Sequence, residues 1–327
     1  MHSNLFFCLL GAPIVLGGID PAADQRFGVW TYNILDGGFT DDGGFGPRTI
    51  YDSATNTTTG AFSDVILEMI SPYYEVLAMQ ELLDWVEDDV VVNATTGEVH
   101  PGMRSLTSAW GYSDYYLCKN CDSYRVGFMS KSPIDVLEDF DSGGHGAIAI
   151  RVDGIVYVTF HLTPFADTSD NMIRLGQVDS VVENVINKYR DEPLLAMGDM
   201  NNPSPLDSPR YSEHGESSCE DSGFANNYCM DGEVDYSPIQ HLFDAGLEDL
   251  CWFHAGGKVK YNQCANSCTT GIWVGGSGHA TAKIDFIFGN EKFLETFDVV
   301  HSRTQVNRKT DRASDHYPME MTFQLKS

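Results

Sequence analysis

The chain has 327 residues and a formal net charge of −27, with 47 acidic residues against 20 Lys and Arg. That length holds one large domain or two small ones and can bury a sizeable core. So acidic a molecule repels polyanions and carries no basic stripe, which excludes a tight nucleic-acid binder but not an enzyme that touches a few phosphates and releases them.

The first apolar run, Leu5–Ile19, is short for a membrane span, which takes roughly 20 residues. It suits the hydrophobic region of a secretory signal occupying residues 1–23, the rival reading being a first strand of the mature fold. No other apolar run is long enough to span a bilayer. Phe27–Ile34 reads as a strand carrying Asn33, and the Gly-, Asp- and Thr-rich stretch after it as a long polar loop. Ala61–Ile70 has helical apolar spacing and leads to the strand Val76–Met79, at whose end stand Gln80 and Glu81. Tyr112–Leu117 and Tyr124–Ser130 read as strands on either side of Cys118 and Cys121.

Ala147–Val152 and Ile155–Phe160 flank Asp153-Gly154, a strong hairpin signal, and the second of these strands runs into His161 and Thr163. Asp170–Arg190 is a helix packing on a sheet face. The strand Leu194–Met197 then delivers Gly198-Asp199-Met200-Asn201. A loop-rich, Cys-containing insertion follows at about 202–262, with one short helix near Ile239–Ala245. The last strands, Ile284–Phe288 and Pro318–Leu325, adjoin Lys283-Ile284-Asp285-Phe286 and Ser314-Asp315-His316.

Eight cysteines include the close pairs Cys118/Cys121, Cys219/Cys229 and Cys264/Cys268, which fit local disulfides in an oxidising compartment. The C-x-x-C at 118–121 also fits zinc, and connectivity cannot be read from spacing. Asn56 and Asn93 begin N-glycosylation sequons, which a eukaryotic secretory pathway would use. Leader and cysteines together lead to the expectation of a secreted protein.

Polar groups at the ends of apolar runs are distant in sequence yet converge at the rim of a buried sheet. In this order, Thr31-Tyr32-Asn33, Gln80-Glu81, His161 with Thr163, Gly198-Asp199-Met200-Asn201, Lys283-Ile284-Asp285-Phe286 and Ser314-Asp315-His316 resemble the endonuclease/exonuclease/phosphatase superfamily. That superfamily includes deoxyribonuclease I, apurinic endonucleases, neutral sphingomyelinases and inositol polyphosphate 5-phosphatases. Arg125–Lys131 resembles one of its strands, and the likeness spans Phe27–Leu325. It implies a single α/β domain (α+β in layout) over residues 24–327, a four-layer sandwich of two packed mixed β-sheets flanked by helices.

Phosphoester hydrolysis needs a charge-stabilising cation, an activated water and help for the leaving oxygen. The resemblance implies Glu81 as principal metal ligand, with Asn33 and Asp315 beside it. Hard oxygen donors suit Mg²⁺, Mn²⁺ or Ca²⁺. It further implies His316 as acid/base oriented by Asp285, Asp199 and Asn201 at the water or the scissile group, and His161 at the leaving or a phosphoryl oxygen. Arg174, early in the following helix, is a candidate phosphate contact. His145, His214, His241, His254, His279 and His301 match no motif and read as ordinary, His279 being a weak substrate-side candidate. The function expected is that of a secreted, monomeric, divalent-metal-dependent phosphodiesterase or nuclease-like hydrolase. The alternatives are a phosphomonoesterase, a sphingomyelinase-like phospholipase C, or a binding protein on the same fold. The substrate is a phosphoester in a nucleic acid, lipid headgroup or small molecule, without high-affinity nucleic-acid binding.

Overall fold

A computed structural model of the chain describes residues 26–35, 50–70, 72–82, 90–92, 99–121, 124–143, 145–164, 168–208, 229–230, 233–254, 283–305 and 310–327. The expected leader, Asn93, and Cys219, Cys264 and Cys268 lie outside them.

The chain opens with β1 (Arg26–Asn33), a hairpin of β2 (Ile50–Asp52) and β3 (Thr57–Thr59), and α1 (Ala61–Val65), which runs on through a wider turn to Ile70. Next come β4 (Val76–Gln80), a hairpin of β5 (Val90–Val92) and β6 (Val99–Pro101), α2 (Met103–Ala109), β7 (Asp114–Leu117) and β8 (Gly127–Ser130). The second half holds β9 (Asp135–Phe140), β10 (Ala147–Val152), β11 (Ile155–His161), α3 (Thr168–Val181) and β12 (Leu194–Asp199). After them stand the short pair β13 (Cys229–Met230) and β14 (Glu233–Val234), then α4 (Ser237–Asp244), β15 (Leu247–Asp249) and α5 (Leu250–His254). The chain closes with β16 (Asp285–Asn290), α6 (Glu291–Thr296), β17 (Phe297–Thr304), α7 (Thr310–Ala313) and β18 (Met319–Leu325).

Two six-stranded sheets carry the fold, in the orders β17-β18-β1-β4-β8-β7 and β15-β16-β12-β11-β10-β9. Each is mixed. In the first β1 runs parallel to β4 and antiparallel to β18; in the second β11 runs parallel to β12 and antiparallel to β10. Alternate side chains of one strand point to opposite faces, and both faces are covered. Val29, Ala78 and Phe128 meet Ile148, Tyr157 and Met197 between the sheets. Their neighbours Trp30, Leu77 and Met79 pack outward with Phe62, Val65 and Leu106 from α1 and α2. Val156, Val158 and Phe288 pack outward with Val178, Val181 and Leu242 from α3 and α4. Helices, sheet, sheet, helices: this is the four-layer sandwich the resemblance implied.

The segment read as an insertion at about 202–262 is partly regular. α4 covers the second sheet, as the expected helix near Ile239–Ala245 does, and β15 extends that sheet at its edge by pairing with β16. Lys283 and Asp249, both fully buried, form an ion pair that ties the entry of β16 to this edge. Cys118 and Cys121 are joined in a disulfide, which removes that pair from any zinc site. Cys251 is disulfide-bonded as well. Among the described residues no helix is long and apolar enough to cross a membrane.

Candidate active site

The polar residues expected to converge occupy the last positions of parallel strands and the first of an antiparallel one, so they share one rim. Across the second sheet His161 stands opposite Asp199, and Asp199 opposite Asp285. In the first sheet Asn33 pairs with Gln80, with Glu81 next along the chain. His316 lies just before β18, and its backbone N–H is received by Ser314 Oγ at 3.1 Å. Ser314 Oγ in turn donates to the Asn33 carbonyl at 2.7 Å, locking the final motif onto β1.

Two local features show why these residue types stand here. Gly198 has φ +147°, and a Cβ on it would lie 2.1 Å from the Phe160 carbonyl oxygen, so only glycine lets β12 approach β11 just before Asp199. Glu81 and Asn201 both have left-handed backbone, φ 59° and 43°. Asn tolerates that region, whereas for Glu it costs roughly 1–3 kcal/mol, and strain of this kind collects where a side chain must be aimed for function. Below the rim Gln80 Nε2 donates to Thr31 Oγ1 at 3.0 Å and to Thr159 Oγ1 at 2.9 Å, a buried polar bridge from one sheet to the other.

The two sheets meet at Asp199 Oδ2. Asn33 Nδ2 reaches it at 3.0 Å and also donates to Glu81 Oε1 at 2.8 Å. His161 Nε2 lies 3.4 Å and His316 Nε2 3.6 Å from the same oxygen. The other Asp199 oxygen accepts from the Asn201 backbone at 2.8 Å. Asn201 Nδ2 donates to the Leu162 carbonyl at 2.9 Å and stands 3.0 Å from His161 Nε2. On the far side of its ring, His316 Nδ1 meets Asp285 Oδ2 at 2.8 Å. Asp315 is half-buried, and its charge acts on both Glu81 and His316.

Burial and charge compete at each group. Burial would lower the proton affinity of His316, but Asp285, Asp199 and Asp315 outweigh it and leave the ring well above the ordinary histidine value. His161 is raised too, because Asp199 and Glu81 overcome burial and the repulsion of His316. Burial would raise Asp199, yet the two imidazoles and Asn33 hold it at about 2. Glu81 is raised, first by burial and then by Asp315, despite the nearby imidazoles.

Among the described residues four carboxylates thus gather against two imidazoles. Glu81, His161 and Asp199 bring ligand atoms within 4.8 Å of one another, as do Asp199, Asp285 and His316. The second trio is the poorer cation site, since Asp285 already occupies His316 Nδ1. Glu81, beside Asp199 and Asp315, fits a hard divalent cation. Asn33 fits it less well: its Oδ1 accepts from the Leu35 backbone at 3.1 Å, which turns the NH₂ into the cleft. In this orientation Asn33 is a donor to carboxylate or phosphoryl oxygen. Arg174 is fully buried and donates to the Thr163 carbonyl at 3.0 Å, which braces the chain after His161. Gln177 bonds the same residue at its backbone N–H and its hydroxyl.

One neighbour carries no sequence signal. The His145 ring stacks on His161 with centroids 4.5 Å apart and planes at 26°, and the Tyr124 ring meets His145 edge-on at 4.7 Å. His145 sits in a glycine-flanked turn outside any motif, and only proximity marks it. His214 and His279 lie outside the described residues, whereas His241, His254 and His301 pair with Asp179, the Val299 carbonyl and Glu320, away from the cleft.

A family model described as the Endonuclease/Exonuclease/phosphatase family matches residues 31–316. No curated protein matches the chain in sequence. Similar solved structures include a 3′ phosphatase from Neisseria with a product DNA hairpin, at TM-score 0.60 and 15% identity, covering 92% of this chain and 100% of that one. An AP endonuclease from Archaeoglobus fulgidus reaches TM-score 0.58 at 14% identity, over 92% and 100% of the two chains. An endonuclease/exonuclease/phosphatase from Beutenbergia cavernae reaches 0.57 at 16%, over 93% and 72%. At such identities the likeness of structures speaks for the fold alone.

Proposed function

The chain belongs to the endonuclease/exonuclease/phosphatase family, and on that footing we propose that it is a secreted, divalent-metal-dependent phosphodiesterase. One observation carries the chemistry. Two imidazoles present Nε2 to a single Asp199 oxygen, beside a cluster of carboxylates with ligand atoms close enough to share an ion. A cation held by Glu81, with Asp315 and Asp199 adjoining, would neutralise the phosphoryl oxygens as charge develops on them. Mg²⁺, Mn²⁺ and Ca²⁺ all suit that oxygen-rich set.

His316 takes the proton of the attacking water at Nε2. Asp285 holds the ring by its Nδ1 proton and stabilises the imidazolium that forms. Asp199, held at about 2, stays ionised between the rings, keeping both oriented toward the cleft. Asn33 and Asn201 turn amide N–H groups inward, donors that add no negative charge. His161, its Nε2 facing the cleft beside Asp199, returns a proton to the leaving oxygen.

Secretion is supported by the Cys118–Cys121 disulfide and by the apolar segment Leu5–Ile19. The net charge of −27 favours a small or loosely held phosphodiester over a long polyanion. The test is a panel of DNA, RNA, sphingomyelin, bis(p-nitrophenyl) phosphate and p-nitrophenyl phosphate, with Mg²⁺, Mn²⁺, Ca²⁺ or EDTA. Hydrolysis of a diester, abolished by EDTA and restored by one of the ions, is the expected result. Activity indifferent to EDTA would overturn the metal reading. Turnover of the monoester or sphingomyelin alone would move the function to a phosphomonoesterase or a phospholipase C.

A further inference from the structure

The two histidines of the cleft are held in different ways, and only one has its far nitrogen fixed by a hydrogen bond among the described residues. His316 is fixed at Nδ1 by Asp285. His161 Nδ1 is buried without a hydrogen-bond partner among the described residues. A reactive imidazole needs its far nitrogen or its faces held if its near nitrogen is to stay aimed. For His161 that leaves the faces, and one of them is covered by the His145 ring.

His145 is itself locked in place. Gly146 follows it with φ +83°, and a Cβ there would lie 2.1 Å from Cys121 Sγ, so the disulfide presses directly on this backbone. The disulfide turn is pinned to β9 through Asp139. The Asp139 carboxylate accepts the Lys119 and Asn120 backbone N–H groups at 2.9 and 3.1 Å and the Tyr116 hydroxyl at 2.8 Å. Tyr124, just beyond the turn, closes its edge on His145 and stands 6.5 Å from the His161 ring. Disulfide, glycine, His145 and His161 form one packed series from a rigid turn to the cleft.

We propose that His145, held under the Cys118–Cys121 turn, is a positioning residue that orients the His161 ring by stacking. This rests on the phosphoesterase reading for its effect on rate, but not for its effect on the ring. Flat contact is the requirement, so a ring without nitrogens should serve.

In the full chain with Mg²⁺ and bis(p-nitrophenyl) phosphate or the best diester found, His145→Ala should lower kcat roughly 10- to 100-fold, the scale of a small misplacement of a reacting group. KM should stay within about threefold, and His145→Phe should restore kcat to within about threefold of wild type, because stacking and not proton transfer is what it supplies. Cys118→Ser/Cys121→Ser should shift kcat in the same direction as His145→Ala. The ¹⁵N chemical shifts of the His161 ring nitrogens should move in His145→Ala and return in His145→Phe. Should His145→Ala fail to fold, His145→Leu fills the space without a flat face and is expected to behave as the Ala variant.

Full activity in His145→Ala would overturn the proposal. So would a His145→Phe as impaired as the Ala variant, since His145 would then act through its own nitrogens. If the wild type hydrolyses no phosphoester, the function reading fails by itself. The nitrogen shifts then decide the positioning claim: movement in Ala and not in Phe supports it, and no movement in either overturns it.

Discussion

The cleft has two sides built to different rules. On the His316 side each group is named by a hydrogen bond: Asp285 at Nδ1, Ser314 at the backbone N–H, and the Asn33 carbonyl beneath Ser314. On the His161 side Nε2 meets Asn201 and Asp199, but Nδ1 has no hydrogen-bond partner among the described residues and the His145 ring covers one face. Both rings point Nε2 at Asp199, but a carboxylate holds the far nitrogen of one, whereas the other is backed by the face of a ring. The difference teaches why the roles need not be interchangeable. A base benefits from a permanent negative partner behind its ring that stabilises its protonated form, and Asp285 stands there for His316 alone of the two.

The largest expected effect breaks the comparison outright. His316→Ala should lower kcat about 10²- to 10⁴-fold for every substrate, the usual worth of a general acid–base group. His161→Ala should match that loss only for diesters with poor alkoxide leaving groups. With a p-nitrophenolate leaving group, which departs without protonation, the loss should shrink to about tenfold or less. A series of diesters graded by leaving-group pKa reads this directly. Equal sensitivity to leaving group in both variants would cancel the division of labour.

Next in size is Asp285→Asn, which keeps the shape and removes the charge behind His316. We expect a fall in kcat on the order of 10²-fold, through lost tautomer control and lost stabilisation of the imidazolium. The sign of the pH effect follows from the cause. Asp285 raises the ring's proton affinity, so without it His316 sheds its proton at lower pH. The acid limb of the kcat profile should therefore move to lower pH while its plateau drops. A limb that stays in place would mean that another group sets it.

Glu81→Gln tests the carboxylate side of the cleft, where the cation is proposed to sit. It should lose roughly 10- to 100-fold at limiting Mg²⁺, and added Mg²⁺ or Mn²⁺ should recover part of that. Titration of activity against metal at fixed substrate shows it as a raised half-saturation. An unchanged metal dependence would take Glu81 out of the cation site.

How much of this was legible in the sequence follows the same division. Strands covered on both faces, such as Val76–Gln80 and Leu194–Asp199, are buried along their whole length and read as apolar runs. Their polar ends, Glu81 and Asp199, were legible for that reason. Two edge strands, β9 and β17, were not. β9 and β17 mix exposed and covered positions, and Phe297–Thr304 carries Asp298, His301 and Arg303 among its apolar residues. The burial of Arg174 against a backbone carbonyl was not legible, because such a contact leaves no trace in spacing. Asn33 was found, but not the turn of its amide, which depends on the Leu35 N–H. His145 escaped because stacking between two rings 16 positions apart is a tertiary fact.

The smallest expected effect concerns what keeps the two sides in register. Gln80 is fully buried at the end of β4, and its amide donates to Thr31 in its own sheet and to Thr159 in the other. Gln80→Met preserves length and apolar contact but strands two buried hydroxyls, one in each sheet. Leaving a buried donor or acceptor unmet costs about 1–3 kcal/mol, so urea unfolding should show a loss in that range with an unchanged slope. If the bridge also sets the spacing of the rim, kcat should fall about two- to fivefold, far less than for His316→Ala. It should fall equally for good and poor leaving groups, because both sides of the cleft shift against each other. A variant as stable as wild type would show that the apolar core alone fixes the sheets. The His316 and His161 sides would then share a cleft without sharing a brace.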